Sequence, residues 1–136
     1  GMDIKSYGTV FATIADKDKE DALPLIRRFY NLGFNIEATK GTATFLKQHG
    51  IRTKWLRKLR EGSDEIYQAI RRGHVKYVIN TIDINQKSSH LDGYEIRRCA
   101  VENNVTIFTS LETVRVLLDV LEEITLGIST IDEEYK

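Results

Sequence analysis

Apolar, β-branched runs alternate along the chain with segments of helical period, and that alternation predicts the elements. Thr9-Val10-Phe11-Ala12-Thr13-Ile14 is almost wholly apolar or β-branched, as in a strand covered on both faces. Asp16 and Asp18 follow as candidate caps of a first helix. Its apolar positions, Ala22, Leu23, Ile26, Phe29, Tyr30 and Gly33, share one face. Pro24 lies inside that pattern and lacks an N–H, so it marks the first turn of the regular helix or kinks it. Phe34 to Thr39 reads as a second strand, and Thr42 to His49 as a second helix stopped by Gly50. Ile51 to Leu56 reads as a short third strand. Ser63 to Arg72 reads as a third helix, with Ile66, Ala69 and Ile70 facing inward and Gly73 as its stop.

The fourth strand, Val75 to Asn80, runs straight into Thr81-Ile82-Asp83. The polar stretch Asn85-Gln86-Lys87-Ser88-Ser89-His90 reads as the longest loop. Tyr94 to Asn103 follows as a helix, Val105 to Thr109 as the fifth strand, and Leu111 to Glu123 as the last long helix. From Ile124 onward the chain is polar and acidic without a clear period, and reads as a loosely held tail. The expected organisation is a tag or linker over residues 1–6, with Gly1 before Met2 an expression scar, one domain over 7–123, and a tail over 124–136. There is no internal repeat or low-complexity segment. Such βα alternation specifies an α/β fold: a mostly parallel five-stranded sheet with helices on both faces, a three-layer α/β/α sandwich.

Composition narrows the partners more than the fold. The 136 residues make one domain large enough for a real core, and 41% hydrophobic with 29% charged content is ordinary for a soluble protein. Twenty basic and twenty acidic residues cancel, so no global field draws the chain to nucleic acid or a membrane. The single cysteine, Cys99, cannot form an internal disulfide, which fits a reducing, cytoplasmic setting. No run approaches a membrane span and no signal peptide is visible.

In open α/β sheets ligands bind beyond the carboxyl ends of the strands, near the point where strand order reverses. The loops expected there hold Lys19, Thr39, Lys40, Gly41, Thr42, Lys58, Asn80 and Thr81. The turn Ala38-Thr39-Lys40-Gly41-Thr42 leads from strand to helix. Its glycine lets backbone N–H groups face an anion at the positive end of the helix dipole. An ordinary threonine-capped helix accounts for the same turn. The converging lysines and hydroxyls favour a phosphate pocket. The basic run Arg52, Lys54, Arg57, Lys58 and Arg60 around Trp55 could stack and hold nucleic acid, but zero net charge and the lack of a nucleic-acid module favour a solvated face. His49, His74 and His90 lack metal-ligand spacing, so no metal site is expected, and Cys99 on the apolar side of a helix reads as packed and inert.

The segments Gly33-Phe-Asn-Ile-Glu-Ala-Thr-Lys-Gly-Thr-Ala43, Lys58-Leu-Arg-Glu-Gly62, Val78-Ile79-Asn80-Thr81 and Tyr94-Glu-Ile-Arg97-Arg98-Cys-Ala100 resemble the methylglyoxal-synthase-like (MGS-like) domain. More closely, they resemble the allosteric C-terminal domain of the carbamoyl phosphate synthetase large subunit, over about Tyr7 to Glu123. The resemblance implies strand order 3-2-1-4-5. It also implies an effector and phosphate site built by Lys19, Thr39, Lys40, Gly41, Thr42, Lys58, Asn80 and Thr81. Two positions depart from the family: Ile82 stands where a second hydroxyl is frequent, and Lys40 where histidine is.

By the same likeness the domain itself carries no catalytic residue and no cofactor. It would bind a phosphorylated effector such as UMP, IMP or phosphoribosyl pyrophosphate (PRPP). Its partners would be the ATP-grasp domains of the same large subunit and the small glutaminase subunit, with no nucleic acid or membrane. The parent ligase makes carbamoyl phosphate from glutamine, bicarbonate and ATP for pyrimidine and arginine biosynthesis. The rival is methylglyoxal synthase acting on dihydroxyacetone phosphate, with Asp16 and Asp64 at its carboxylate positions and His90 near its histidine. Ala15, standing where that enzyme has a histidine, argues against it.

Overall fold

In the computed structural model, residues 7–57, 64–85 and 87–134 are described, with only the backbone path given for 87–92 and 128–134. The elements are β1 (Thr9–Thr13), a 3-10 turn (Asp16–Asp18), α1 (Lys19–Asn31), β2 (Asn35–Ala38), α2 (Lys40–Gln48) and β3 (Thr53–Trp55). Then follow α3 (Glu65–Arg71), β4 (Val75–Asn80), α4 (Lys87–Glu102), β5 (Thr106–Phe108) and α5 (Leu111–Glu134). All five strands run parallel in the order β3-β2-β1-β4-β5.

Both faces of the sheet are apolar where helices cover them. Val10, Ala12, Ile36, Tyr77 and Ile79 point into a core with Ala22, Ile26 and Phe29 of α1, Leu46 of α2, and Leu117, Leu118 and Leu121 of α5. Phe11 and Val78 point the other way, against Ile66, Ala69 and Ile70 of α3 and Ile96, Cys99 and Ala100 of α4. β1 is therefore buried on both sides, which is why its sequence does not alternate.

Four expectations change. The stretch from Lys87, read as loop, opens α4, so the irregular connection after β4 is short. α5 does not stop at Glu123 but runs to Glu134, so the segment read as a tail continues the helix. Pro24 falls in the second turn of α1, inside an unbroken helix, rather than in its first turn. The capping role expected of Asp18 is not used: it occupies the N-cap position of α1 without a side-chain cap bond, and its carboxylate pairs with Lys17 at 3.1 Å instead. The expected helix start at Ser63 lies outside the described residues.

The crossover pattern fixes the functional end of the molecule. β1 joins β2 on one side and β4 on the other, so strand order reverses between β1 and β4. Their carboxyl ends meet there, with Thr13 in register with Asn80 and the Thr81 N–H donating to the Thr13 carbonyl at 3.1 Å.

Candidate anion site at the strand switch point

Three polar side chains lock the loop after β1 into place. The Thr42 hydroxyl accepts from the Ile14 N–H at 3.0 Å, and the Thr81 hydroxyl accepts from the Ala15 N–H at 2.9 Å. The Thr39 hydroxyl donates to that of Thr13 at 3.2 Å. Asn80 donates from Nδ2 to the Gly93 carbonyl at 3.0 Å, tying β4 to α4. All four residues are buried. Each bond serves a backbone or side-chain group at a strand end, where the sheet ladder stops and a dry polar atom needs a partner.

Neither threonine of the 39–42 turn caps α2 with its side chain, although Thr39 sits at the N-cap position. The ordinary-cap explanation of that turn therefore does not hold. The first regular bond of the helix runs from the Ala43 N–H to the Thr39 carbonyl at 2.8 Å. The N–H groups of Lys40, Gly41 and Thr42 precede it and have no acceptor in their own helix, as at any helix start.

Lys19, the first residue of α1, brings its ammonium to this point. A Cβ on Gly41 would lie 3.3 Å from Lys19 Nζ. The lysine side chain is only 15% exposed and pairs with Asp16. A cation held against the first turn of a helix, over a residue with no side chain, forms a cradle for an anion. Asp16 places one carboxylate beside it, so an incoming anion must share Lys19 or displace that contact.

The structure thus brings Lys19, Thr39, Gly41, Thr42, Asn80 and Thr81 to one rim. The threonines and Asn80 hold the walls, while Lys19 and the α2 backbone supply donors. Lys40 turns toward the sheet edge, with its ammonium 5.8 Å from the centre of the Trp55 ring. Lys58 and Arg60 lie outside the described residues, as does the side chain of His90. Asp64 is bonded to Gln68 Nε2 at 3.1 Å and lines a separate cleft beneath α3.

Gly93 has a part that the sequence did not reveal. A Cβ there would come within 3.2 Å of both Asn80 Nδ2 and Ile82 Cδ1. It falls inside α4, and only the packing shows that it lets the helix approach the end of β4. Cys99 is buried, as expected, and burial pushes its thiol above the ordinary value, which disfavours the reactive thiolate. Among the described residues no cluster of three or more potential ligands could hold a metal, and no helix is long and apolar enough to cross a membrane.

The chain matches the family model of the MGS-like domain over residues 21–109, more than half its length. It belongs to that family.

Proposed function

For this member of the MGS-like family we propose a sensing role: the domain binds a phosphorylated nucleotide or sugar and passes that signal to a carbamoyl phosphate synthase large chain. The effector is UMP, IMP or PRPP. The partners that respond are the ATP-grasp domains of the same subunit, which work with the small glutaminase subunit in making carbamoyl phosphate. The supporting observation is the cradle at Gly41, where Lys19 meets the open end of α2 at the strand switch point.

The chemistry of that cradle favours binding over turnover. Backbone N–H groups and an ammonium stabilise a phosphate without moving protons. Thr39, Thr42 and Thr81 are already committed to the protein and hold the rim rigid. Regulation needs only that the ligand prefer one of two arrangements of the parent enzyme, with a coupling of roughly 1–3 kcal/mol.

The test is thermal unfolding with UMP, IMP and PRPP in turn. A ligand at a hundred times its Kd stabilises the folded state by about 2.7 kcal/mol, which raises Tm by several degrees. At least one of the three should do so, Lys19→Ala should remove the shift, and Lys19→Arg should restore part of it. If none of them moves the melting curve, the sensing role fails for this domain. Methylglyoxal production from dihydroxyacetone phosphate, abolished by Asp64→Asn, would instead establish the synthase activity.

A further inference from the structure

Away from the switch point, β2 carries a buried charge that the effector site does not use. On the face covered by α3 and α4, the apolar cluster draws on β1, β4 and Leu56, and no residue of β2 belongs to it. β2 presents Glu37 there, in register with Phe11 of β1 and Lys54 of β3. The Glu37 side chain is only 10% exposed. It faces a cleft of about 300 Å³ between α3 and the β2–β3 edge, whose walls include Lys54, Trp55, Asp64, Gln68 and Arg72.

The carboxylate is poorly matched to the protein around it. Among the described residues its partner is one ring nitrogen of His74, at 3.3 and 3.4 Å from the two oxygens. A charge-assisted bond is normally about 2.7–2.9 Å long, and an ionised carboxylate accepts up to about four hydrogen bonds. Lys54 is its cross-strand neighbour but is exposed and within no described ion pair, and Arg72, at the C-terminal end of α3, is an exposed residue of the cleft wall. Asp64, bonded to Gln68, and Glu65, which accepts from the Arg57 N–H, line the same wall. Held by one long contact, the buried Glu37 carboxylate keeps acceptor capacity for a positive group that enters the cleft.

We propose that this cleft binds a small organic cation, a ligand carrying a primary ammonium or guanidinium group whose N–H donors reach Glu37. A volume at the lower end of ordinary ligand clefts suits a small molecule. The alkyl part of the ligand lies against Leu56 and Ala69, which line the cleft. This site is independent of the anion cradle and stands or falls separately from it.

Trp55 lines the cleft and is the only tryptophan of the chain, so its fluorescence reports on occupancy. The probe is agmatine, which carries both groups, titrated into the full chain. Tetramethylammonium at equal ionic strength, a cation without N–H donors, is the control. Agmatine should change the emission saturably, tetramethylammonium should not, and Glu37→Gln should weaken the apparent affinity at least tenfold. On the wild-type chain, the imidazole resonance of His74 should move along the same titration curve, a readout that survives even if Glu37→Gln does not fold. An unsaturable response, equal affinity in Glu37→Gln, or an unmoved His74 resonance overturns the proposal.

Discussion

Gly93 shows how little room the rim allows. Adding one methyl group places it 3.2 Å from Asn80 Nδ2 and from Ile82 Cδ1, so α4 or the end of β4 must give way. Overpacking of this kind costs about 1–3 kcal/mol, and Gly93→Ala should lower stability by that amount in chemical denaturation while weakening effector binding. Thr42 makes a complementary case. Its hydroxyl is the described partner of the Ile14 N–H, in a buried setting. Thr42→Val keeps the shape but orphans that donor, at about 1–3 kcal/mol, whereas Thr42→Ser should retain most of the stability. Equilibrium unfolding of the pair separates the hydrogen bond from the methyl group. The place of Thr42 at the strand-to-helix turn was legible in the sequence, but its bond to the end of β1 was not. That role depends on a partner 28 positions away, which no local pattern encodes.

Among the elements, α1 and α5 are clasped by Arg28. Its guanidinium donates to Glu122 at 2.7 and 3.0 Å and to Asp119 at 2.7 Å. Hydrogen bonds to Glu122 and then Asp119 push the Arg28 guanidinium above its ordinary value, and Arg28 in turn holds the Glu122 carboxyl below its own. A lowered carboxyl contributes stability above its unfolded value and loses it as pH falls through the folded one. Glu122 is partly exposed, so Glu122→Gln should cost less than about 1 kcal/mol at neutral pH. The difference from wild type should shrink as pH falls below the ordinary carboxylate range and vanish once the lowered folded-state carboxyl is protonated as well. Melting curves across that range give the sign directly.

The elements themselves were unevenly legible. β4 has the boundaries read from its apolar run, Val75 to Asn80, because a strand buried on both faces signals itself by composition alone. β3 shrank to three residues because only Thr53, Lys54 and Trp55 pair in register with β2, the Leu56 N–H closing the ladder on the Ala38 carbonyl at 2.8 Å. The start of α4 was hidden by the polar, serine-containing stretch before Tyr94, which resembles a loop in composition. α5 ran on past Glu123, although Ile124, Ile128 and Ile131 keep helical spacing within an otherwise polar stretch. The α3–α4 pair is tied across its apolar contact by Tyr67, whose hydroxyl donates to Glu95 at 2.7 Å and is pushed up to about 12 by that bond and by burial. It therefore stays a donor throughout the physiological range.

For the whole molecule, the parallel sheet was legible because strands and helices alternate in the sequence, and its order followed from the resemblance to the MGS-like domain. The rim residues converged because that order places the ends of β1, β2 and β4 together. Glu37 was not legible as a site residue. In sequence it is one polar residue within a buried strand, and its setting depends on the cleft that forms between β2 and α3. The strand order also bears on how the chain comes off the ribosome. β1 is made first yet lies at the centre of the sheet, and the strand that completes its second edge, β4, is made only after β2 and β3. Until β4 emerges, the nascent N-terminal half carries an apolar strand with one row of unpaired amides, an invitation to pair with a neighbouring chain. Synthesis speed through the α3 region therefore decides how long that edge stays open.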